Sequence, residues 1–571
     1  MTPLAPRRAA LAGAALAAFA LACLLDPGSP APRGADAPED AFSAARAWPA
    51  LEQIAREPHP LAAPRQAEVR AFLAGELERL GVACERLPWS REQNGWTHEG
   101  VNLLARLPGR EPDALRVLFV AHYDSRVGAP GAGDDGAAVA AMLECLRALA
   151  REPARRNTLE FLFTDGEEAG LLGAREFVRD PATLVHLACA FNFEGRGNAG
   201  PAILFETGRD DRAWIEAYAA CAPHPLGSSL GPAVYERMPN DTDFTLFRRQ
   251  GLPGLNFAWV GGGSAYHQPW DTPAHLDPRA LQHHGETMLA LARHLGQADL
   301  DELAGRRGRA TFFTLPGNLF VHYAARWDAA VLALAWLAVL GALAAGVRAG
   351  RLSPAGAALG LVATPLAALL GAAVLAAAGQ AARLLAAAAL PAAAPRGNGV
   401  STTWLLVGVV ALGFALASLA ARRLGPRTRS GLAGGALVAW AALATAASVG
   451  LPGASHAFAW PAAAAALVFA AAGRLAAGAD GARGAAFVLA GATGGFLALT
   501  LPTLKLLHQV GSVAPSFGVA IAAVGVGLAL PLALPLAALL GAWRGPRSAA
   551  LCLAPGLAAL AAGALLEALG R

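Results

Sequence analysis

Charge is scarce in this chain. Only 15% of its 571 residues are Asp, Glu, Lys or Arg, against 55% that are hydrophobic. That balance is too apolar for a purely soluble protein and points to membrane spans. Its length also exceeds one ordinary domain. The formal net charge is a mild +4, and no basic run is interleaved with aromatics, which argues against nucleic acid as a partner. Paired cysteines are missing as well. None of Cys23, Cys84, Cys145, Cys189, Cys221 and Cys552 falls in a C-x-x-C pair, so a structural zinc ribbon is not expected. The cysteines read as buried thiols or, for the four in the middle of the chain, as disulfide partners whose pairing the spacing does not give. Lysine is almost absent and arginine carries the positive charge. With abundant Ala and Gly, that is the composition of a GC-rich bacterial genome.

The apolar residues are unevenly placed. Ala9 to Leu25 forms an apolar run behind Arg7 and Arg8, so residues 1–26 read as an N-terminal transmembrane anchor or signal that starts in the cytoplasm. Residues 27–44, rich in Pro, Gly and Ala, read as a linker. Residues 45–300 have the composition of a soluble α/β domain. Leu115–Ala121, Thr158–Phe163 and Ala188–Phe193 fit buried strands, and helical patterns lie at Gln66–Leu80 and Ala137–Ala150. This alternation predicts a mixed, mostly parallel sheet with helices on both faces. After a second linker over 301–327, residues 328–571 read as an all-α polytopic transmembrane domain. About eight stretches there are long enough for a bilayer. They centre near Leu337, Ala367, Val410, Trp440, Leu467, Gly494, Gly527 and Leu560. Loops with Arg348 and Arg351, with Arg422, Arg423, Arg427 and Arg429, with Arg474 and Arg483, and with Arg544 and Arg547 alternate with loops holding only Arg383, Arg396 and Lys505. That bias places the basic loops in the cytoplasm and the α/β domain outside it. The expected setting is a bacterial inner membrane with the domain on its periplasmic or extracellular side.

Five short motifs in 45–300 hold acids and histidines at strand ends and in loops; in an open α/β sheet, functional groups gather at strand ends. His122 follows the first strand. One of its ring nitrogens could ligate a metal while Asp124 holds the other, although H-x-D alone is usually structural. Asp134 and Asp135 sit between Gly133 and Gly136 before a helix, where one could present a ligand and the other cap the helix amides. Glu167 and Glu168 follow the second strand. Adjacent carboxylates repel unless a cation offsets them, and alone such a pair is a solvated loop. Glu194 ends the third strand, where a surface acid is the plainer reading. His267 lies in the loop Ser264 to Asp271, where most histidines are ordinary loop residues. Together, two histidines and three carboxylates make a mixed N/O donor set that suits zinc without thiolates, with a carboxylate able to bridge two ions.

As an ordered set, these residues resemble the co-catalytic zinc aminopeptidase family of the bacterial leucyl aminopeptidase and aminopeptidase Y type. The matching motifs are His122-Tyr123-Asp124-Ser125, Gly133-Asp134-Asp135-Gly136, Glu167-Glu168 with Gly170-Leu171-Leu172-Gly173, Asn192 with Glu194-Gly195, and Tyr266-His267. Pro58-His59-Pro60-Leu61, Asn240 to Phe244 and Gly251 to Leu255 fit as well, so the resemblance covers about Pro58 to Leu300. The layout looks most like that of the vacuolar and endoplasmic-reticulum membrane metalloproteases. The resemblance implies a zinc exopeptidase fold, two zinc ions per chain and release of N-terminal residues from a peptide substrate. By it, His122 and Glu194 hold one zinc, Glu168 and His267 the other, and Asp134 bridges them. Glu167 is then the general base and Asp124 orients His122. Several soluble members carry Asp where this chain has Glu194, a subgroup trait of membrane-bound members. The scaffold also serves glutaminyl cyclases and carboxypeptidases, and related domains without ligands act as receptors. A transporter would need intramembrane ionisable groups, and only Lys505, His508 and Glu567 stand near span ends. With every ligand position filled, an enzyme with a membrane anchor is the preferred reading. Neither side-chain preference nor oligomeric state is readable.

Overall fold

The computed structural model describes residues 28–111, 114–389, 399–476 and 482–511, with short pieces at 15, 18–25, 522–527, 529, 557–562 and 564–565. The chain divides into two compact units, Pro27–Ala325 and the remainder.

The first unit is built on a seven-stranded sheet. Its strands are β1 (Ala83–Gln93), β2 (Trp96–Leu107), β3 (Arg116–His122), β4 (Leu159–Thr164), β5 (Leu187–Gly195), β6 (Ile203–Thr207) and β7 (Gly254–Trp259), in the order β1-β2-β4-β3-β5-β7-β6. The four central strands, β4, β3, β5 and β7, run parallel, and β1, β2 and β6 flank them antiparallel. The expected strands and the helices Pro64–Arg79 and Ala137–Ala150 are present. β3, β4, β5 and β7 are buried on both faces, which is why they read as continuous apolar runs without alternation.

Register is fixed by aromatic rings. Phe119 pairs with Phe161 on one side and Phe191 on the other, with ring centroids 4.9 and 5.6 Å apart. A one-residue slip would turn all three to the opposite face. At the polar end of the sheet, buried Glu160 accepts from Arg106 at 2.9 Å and Arg116 at 3.0 Å, so its charge is paired. Helix Ala137–Ala150 is buried along nearly its whole length and packs on helices Ala44–Ile54 and Pro278–Gln297.

Neither segment read as a linker is a bare tether. In 27–44, the Arg33 and Ala44 amides both donate to the Gln282 side chain at 2.9 Å. Segment 301–327 carries the rest of a short helix, Leu300–Gly305, and a hairpin of β8 (Ala310–Leu315) and β9 (Leu319–Ala324). Phe312 of this hairpin is fully buried in the core of the unit. The four cysteines of this unit form no disulfide, and Cys145 and Cys189 are buried thiols.

In the second unit, four described helices are long and apolar enough to cross a membrane: Ala325–Arg348, Pro354–Ala386, Pro426–Gly450 and His456–Arg474. Thr403–Gly413 and Ala492–Leu507 are shorter apolar helical stretches. Of the stretches expected near Gly527 and Leu560 only the short helical pieces 522–527, 529, 557–562 and 564–565 are described, and of the N-terminal run only residues 15 and 18–25. Helices Pro354–Ala389 and Pro426–Gly450 meet through glycine. A Cβ on Gly435 would stand 2.0 Å from the Gly360 carbonyl carbon, so only the smallest residue allows this approach. Trp336 donates to Thr445 at 3.0 Å, and Trp440 packs against Phe458 and Phe496.

The central ring column sets a stability expectation. Phe161→Ala removes one ring of this close-packed column and should cost about 3–5 kcal/mol. Denaturant unfolding of the full chain in detergent measures this, and a loss below about 1 kcal/mol would show that the column is not load-sharing in the way its packing implies.

Candidate metal centre

Parallel pairing aligns the carboxyl ends of the central strands on one edge. The chain runs from β3 to β4 on one side and then crosses back to β5 on the other, so the strand order reverses beside β3. Open α/β sheets form crevices at such a point. His122 ends β3, Glu167 and Glu168 follow β4, Glu194 lies at the end of β5, and His267 follows β7.

The structure brings these residues together. His122 Nε2 stands 3.2 Å from Asp134 Oδ1 and 3.7 Å from Glu194 Oε2. His267 Nε2 stands 3.1 Å from Asp134 Oδ2 and 3.0 Å from Glu168 Oε1. Two donor triads result, His122–Asp134–Glu194 and Asp134–Glu168–His267, with the donor atoms of each within 4.8 Å of one another. Asp134 belongs to both and gives a different oxygen to each histidine.

Burial charges this cluster with tension. It pushes the Glu194 carboxyl up to about 8 and Glu167 well above the usual carboxylate range. Burial opposes charge on His267 too, yet the Asp134 and Glu168 carboxylates raise its imidazole to about 9. Burial would raise Asp134, but the two imidazoles hold it well below the usual range. Buried Glu168 Oε1 is not aligned to accept a hydrogen bond from any group, including the ring beside it. An orphaned carboxylate oxygen beside an imidazole and a shared carboxylate is what a divalent cation satisfies. The all N/O donor set fits zinc.

Surrounding bonds hold the donors in place. His122 Nδ1 donates to the Asp124 main-chain carbonyl at 2.9 Å, which leaves Nε2 as the ligating atom. The Asp124 carboxylate was expected to grip that ring. It faces the same ring nitrogen at 3.5 Å and also accepts from the Glu167 and Glu168 amides at 3.0 and 3.2 Å. It therefore fixes the loop that carries both glutamates. The helix-cap expectation for Asp134 or Asp135 is corrected. Helix Ala137–Ala150 has no side-chain cap, and Asp135 Oδ2 accepts from the His122 amide at 3.3 Å. Both aspartates are turned to the centre, because the loop before the helix folds back on the β3 end. A Cβ on Gly195 would lie 1.8 Å from the Gly133 carbonyl oxygen, so glycine lets the Asp134 loop approach β5. The Pro58–Leu61 motif docks beside this edge, its His59 amide donating to Ser125 Oγ at 2.8 Å.

Two supporting acids carried no role in the sequence reading. Asp271 is buried, and its carboxylate accepts from the Gly133 and Asp134 amides at 2.7 and 3.2 Å. Asp243 is buried and accepts from Oγ1 of Thr164, the last residue of β4. The position of Asp271, four residues past His267, was the one available signal.

Comparison with known proteins agrees with this class of site. Residues 102–292 match Peptidase family M28. Human endoplasmic reticulum metallopeptidase 1 is 31% identical over 231 residues, covering 39% of this chain and 26% of that protein. The vacuolar membrane protease of Eremothecium gossypii is 30% identical over 319 residues, covering 51% of this chain and 31% of its own length. The chain therefore spans about a quarter to a third of these relatives. Among solved structures, the zinc aminopeptidase BSAP from Bacillus subtilis aligns over 46% of this chain and 98% of its own, at 15% identity and a TM-score of 0.37. The matched stretch holds every donor of the two triads, the chain is similar here to an endoplasmic reticulum metallopeptidase and a vacuolar membrane protease, and the apolar helices that follow identify an integral membrane protein.

If Asp271 holds the shared aspartate in place, Asp271→Ala should weaken zinc affinity about 10- to 100-fold while the chain stays folded. Competition with a chromophoric chelator reads this directly; unchanged affinity would show that the loop keeps its shape without Asp271.

Proposed function

We propose that this protein is a membrane-anchored metallo-exopeptidase that removes N-terminal residues from peptides and works with two zinc ions. The observation that carries this reading is the Asp134 carboxylate, whose two oxygens face two different histidines, each with its own glutamate. In this reading His122, Asp134 and Glu194 hold one ion, and Asp134, Glu168 and His267 the other. The bound ions would supply an acidified water and polarisation of the scissile carbonyl.

The chain's own residues supply the rest. Of the two adjacent glutamates after β4, Glu167 is the one that belongs to neither triad. Its amide is pinned to Asp124, which aims its side chain into the cluster while Glu168 turns to His267. Burial raises its proton affinity, as a group that must take a proton and then release it requires. Glu167 takes the proton of the attacking water and delivers it to the leaving amine, while Asp124 fixes its position. Exopeptidase action requires that the free amino end be held at the centre, where the acidic cluster attracts it.

The setting proposed is a bacterial inner membrane with the peptidase domain on the non-cytoplasmic side. The arginine-rich loops and the genomic composition support this.

Two substitutions separate the roles. Glu167→Ala should keep its zinc and lose activity by at least about 100-fold. Asp134→Ala should lose metal itself. Metal analysis of the purified full chain, with hydrolysis of aminoacyl amides before and after chelation, tests both. Cyclisation of N-terminal Gln in place of hydrolysis would move the site to the cyclase chemistry. Zinc loss in Glu167→Ala, or full zinc in Asp134→Ala, would overturn the assignments.

A further inference from the structure

Acids dominate this edge of the sheet, yet one arginine beside it has no acidic partner. Arg196 lies two residues past Glu194, and its amide continues the β5–β7 ladder by donating to the Trp259 carbonyl at 2.9 Å. Its guanidinium lies over the Tyr266 ring, 5.2 Å from the centroid, and Tyr266 stacks on His267 at 3.7 Å. The guanidinium carbon is therefore within about 9 Å of the His267 ring centre. With the Asn240 amide oriented by its hydrogen bonds, that oxygen accepts from Nη1 and Nη2. Nε is buried and unbonded. Among the described residues, no carboxylate pairs with this arginine, although the other arginines nearby do pair: Arg126 with Glu168, and Arg248 with Glu206 and Glu236.

The Asn240 oxygen occupies the Nη1–Nη2 fork and Nε is buried, so what this half-buried guanidinium still offers is its charge and the Nη hydrogens that Asn240 does not take, enough for a charge-assisted hydrogen bond to an anion. The reach selects which one. An extended peptide advances about 3.3–3.6 Å per residue, so a terminal carboxylate one or two residues past the cleaved bond falls within that distance. A free carboxylate would otherwise be repelled by the acids of the cluster. We propose that Arg196 recognises the free C-terminal carboxylate of di- and tripeptides, making short peptides the preferred substrates. This rests on the peptidase reading given above.

The test uses the full chain in detergent with di- and tripeptides as free acids and as C-terminal amides. The free acids should be preferred roughly 10- to 100-fold, through KM, as for a hydrogen-bonded charge pair. Arg196→Gln should erase the preference while leaving zinc content and amide hydrolysis unchanged, and Arg196→Lys should restore part of it. Equal use of acids and amides by the unaltered protein would overturn the proposal and leave the peptidase reading standing. Loss of zinc or an equal fall on both substrate sets in Arg196→Gln would also overturn it, because Arg196 would then act only through Tyr266 on His267. If the folded protein hydrolyses neither set, the peptidase reading itself fails and takes this proposal with it.

Discussion

Carboxylates repel one another, and this fold forces a group of them onto one edge of a sheet. The parallel register of β3, β4 and β5 leaves no alternative, because every strand delivers its carboxyl end to the same crevice. The surrounding architecture answers that constraint. Asp124 and Asp271 spend their charge on backbone amides, Asp135 on the His122 amide, and Asp243 on a hydroxyl. The acids left to the centre are those of the two triads and Glu167. Asp124, Asp135, Asp243 and Asp271 each find at least one donor in the protein, although Oδ1 of Asp135 and of Asp243 stays buried without one.

Much of this was legible beforehand because function and chain direction coincide. His122, Glu167, Glu168 and Glu194 each follow a continuous apolar run, and a doubly buried parallel strand is the one element whose sequence shows itself so plainly. What stayed hidden was of another kind. The long β1–β2 hairpin is half exposed along β1, mixes charged and apolar residues, and has no uninterrupted run to mark it. The β8–β9 hairpin lies in a stretch whose glycines and arginines suggest a tether, and only the burial of Phe312 shows otherwise. Asp124 exposed a different limit. Spacing placed it near His122, but the acceptor of the ring proton turned out to be its carbonyl, and its carboxylate went to a loop more than forty residues on. Sequence separation carries no trace of which end of a residue makes a bond.

The membrane half obeys a different economy. Its helices bury little polar surface, and the close approach at Gly360 and Gly435 supplies contact where hydrophobic burial against lipid cannot. Buried Thr364 satisfies its hydroxyl on the Gly360 carbonyl one turn back, so it adds packing without an unpaired group. These features describe a packed helical unit.

The segment from His267 to Asp271 contributes twice. It hands one imidazole to the centre, and only three residues separate that donor from the carboxylate gripping the Gly133 and Asp134 amides. Because Asp134 serves both triads, this one short stretch bears on each of them: directly on one through the His267 imidazole, and on both through the backbone amides that seat Asp134.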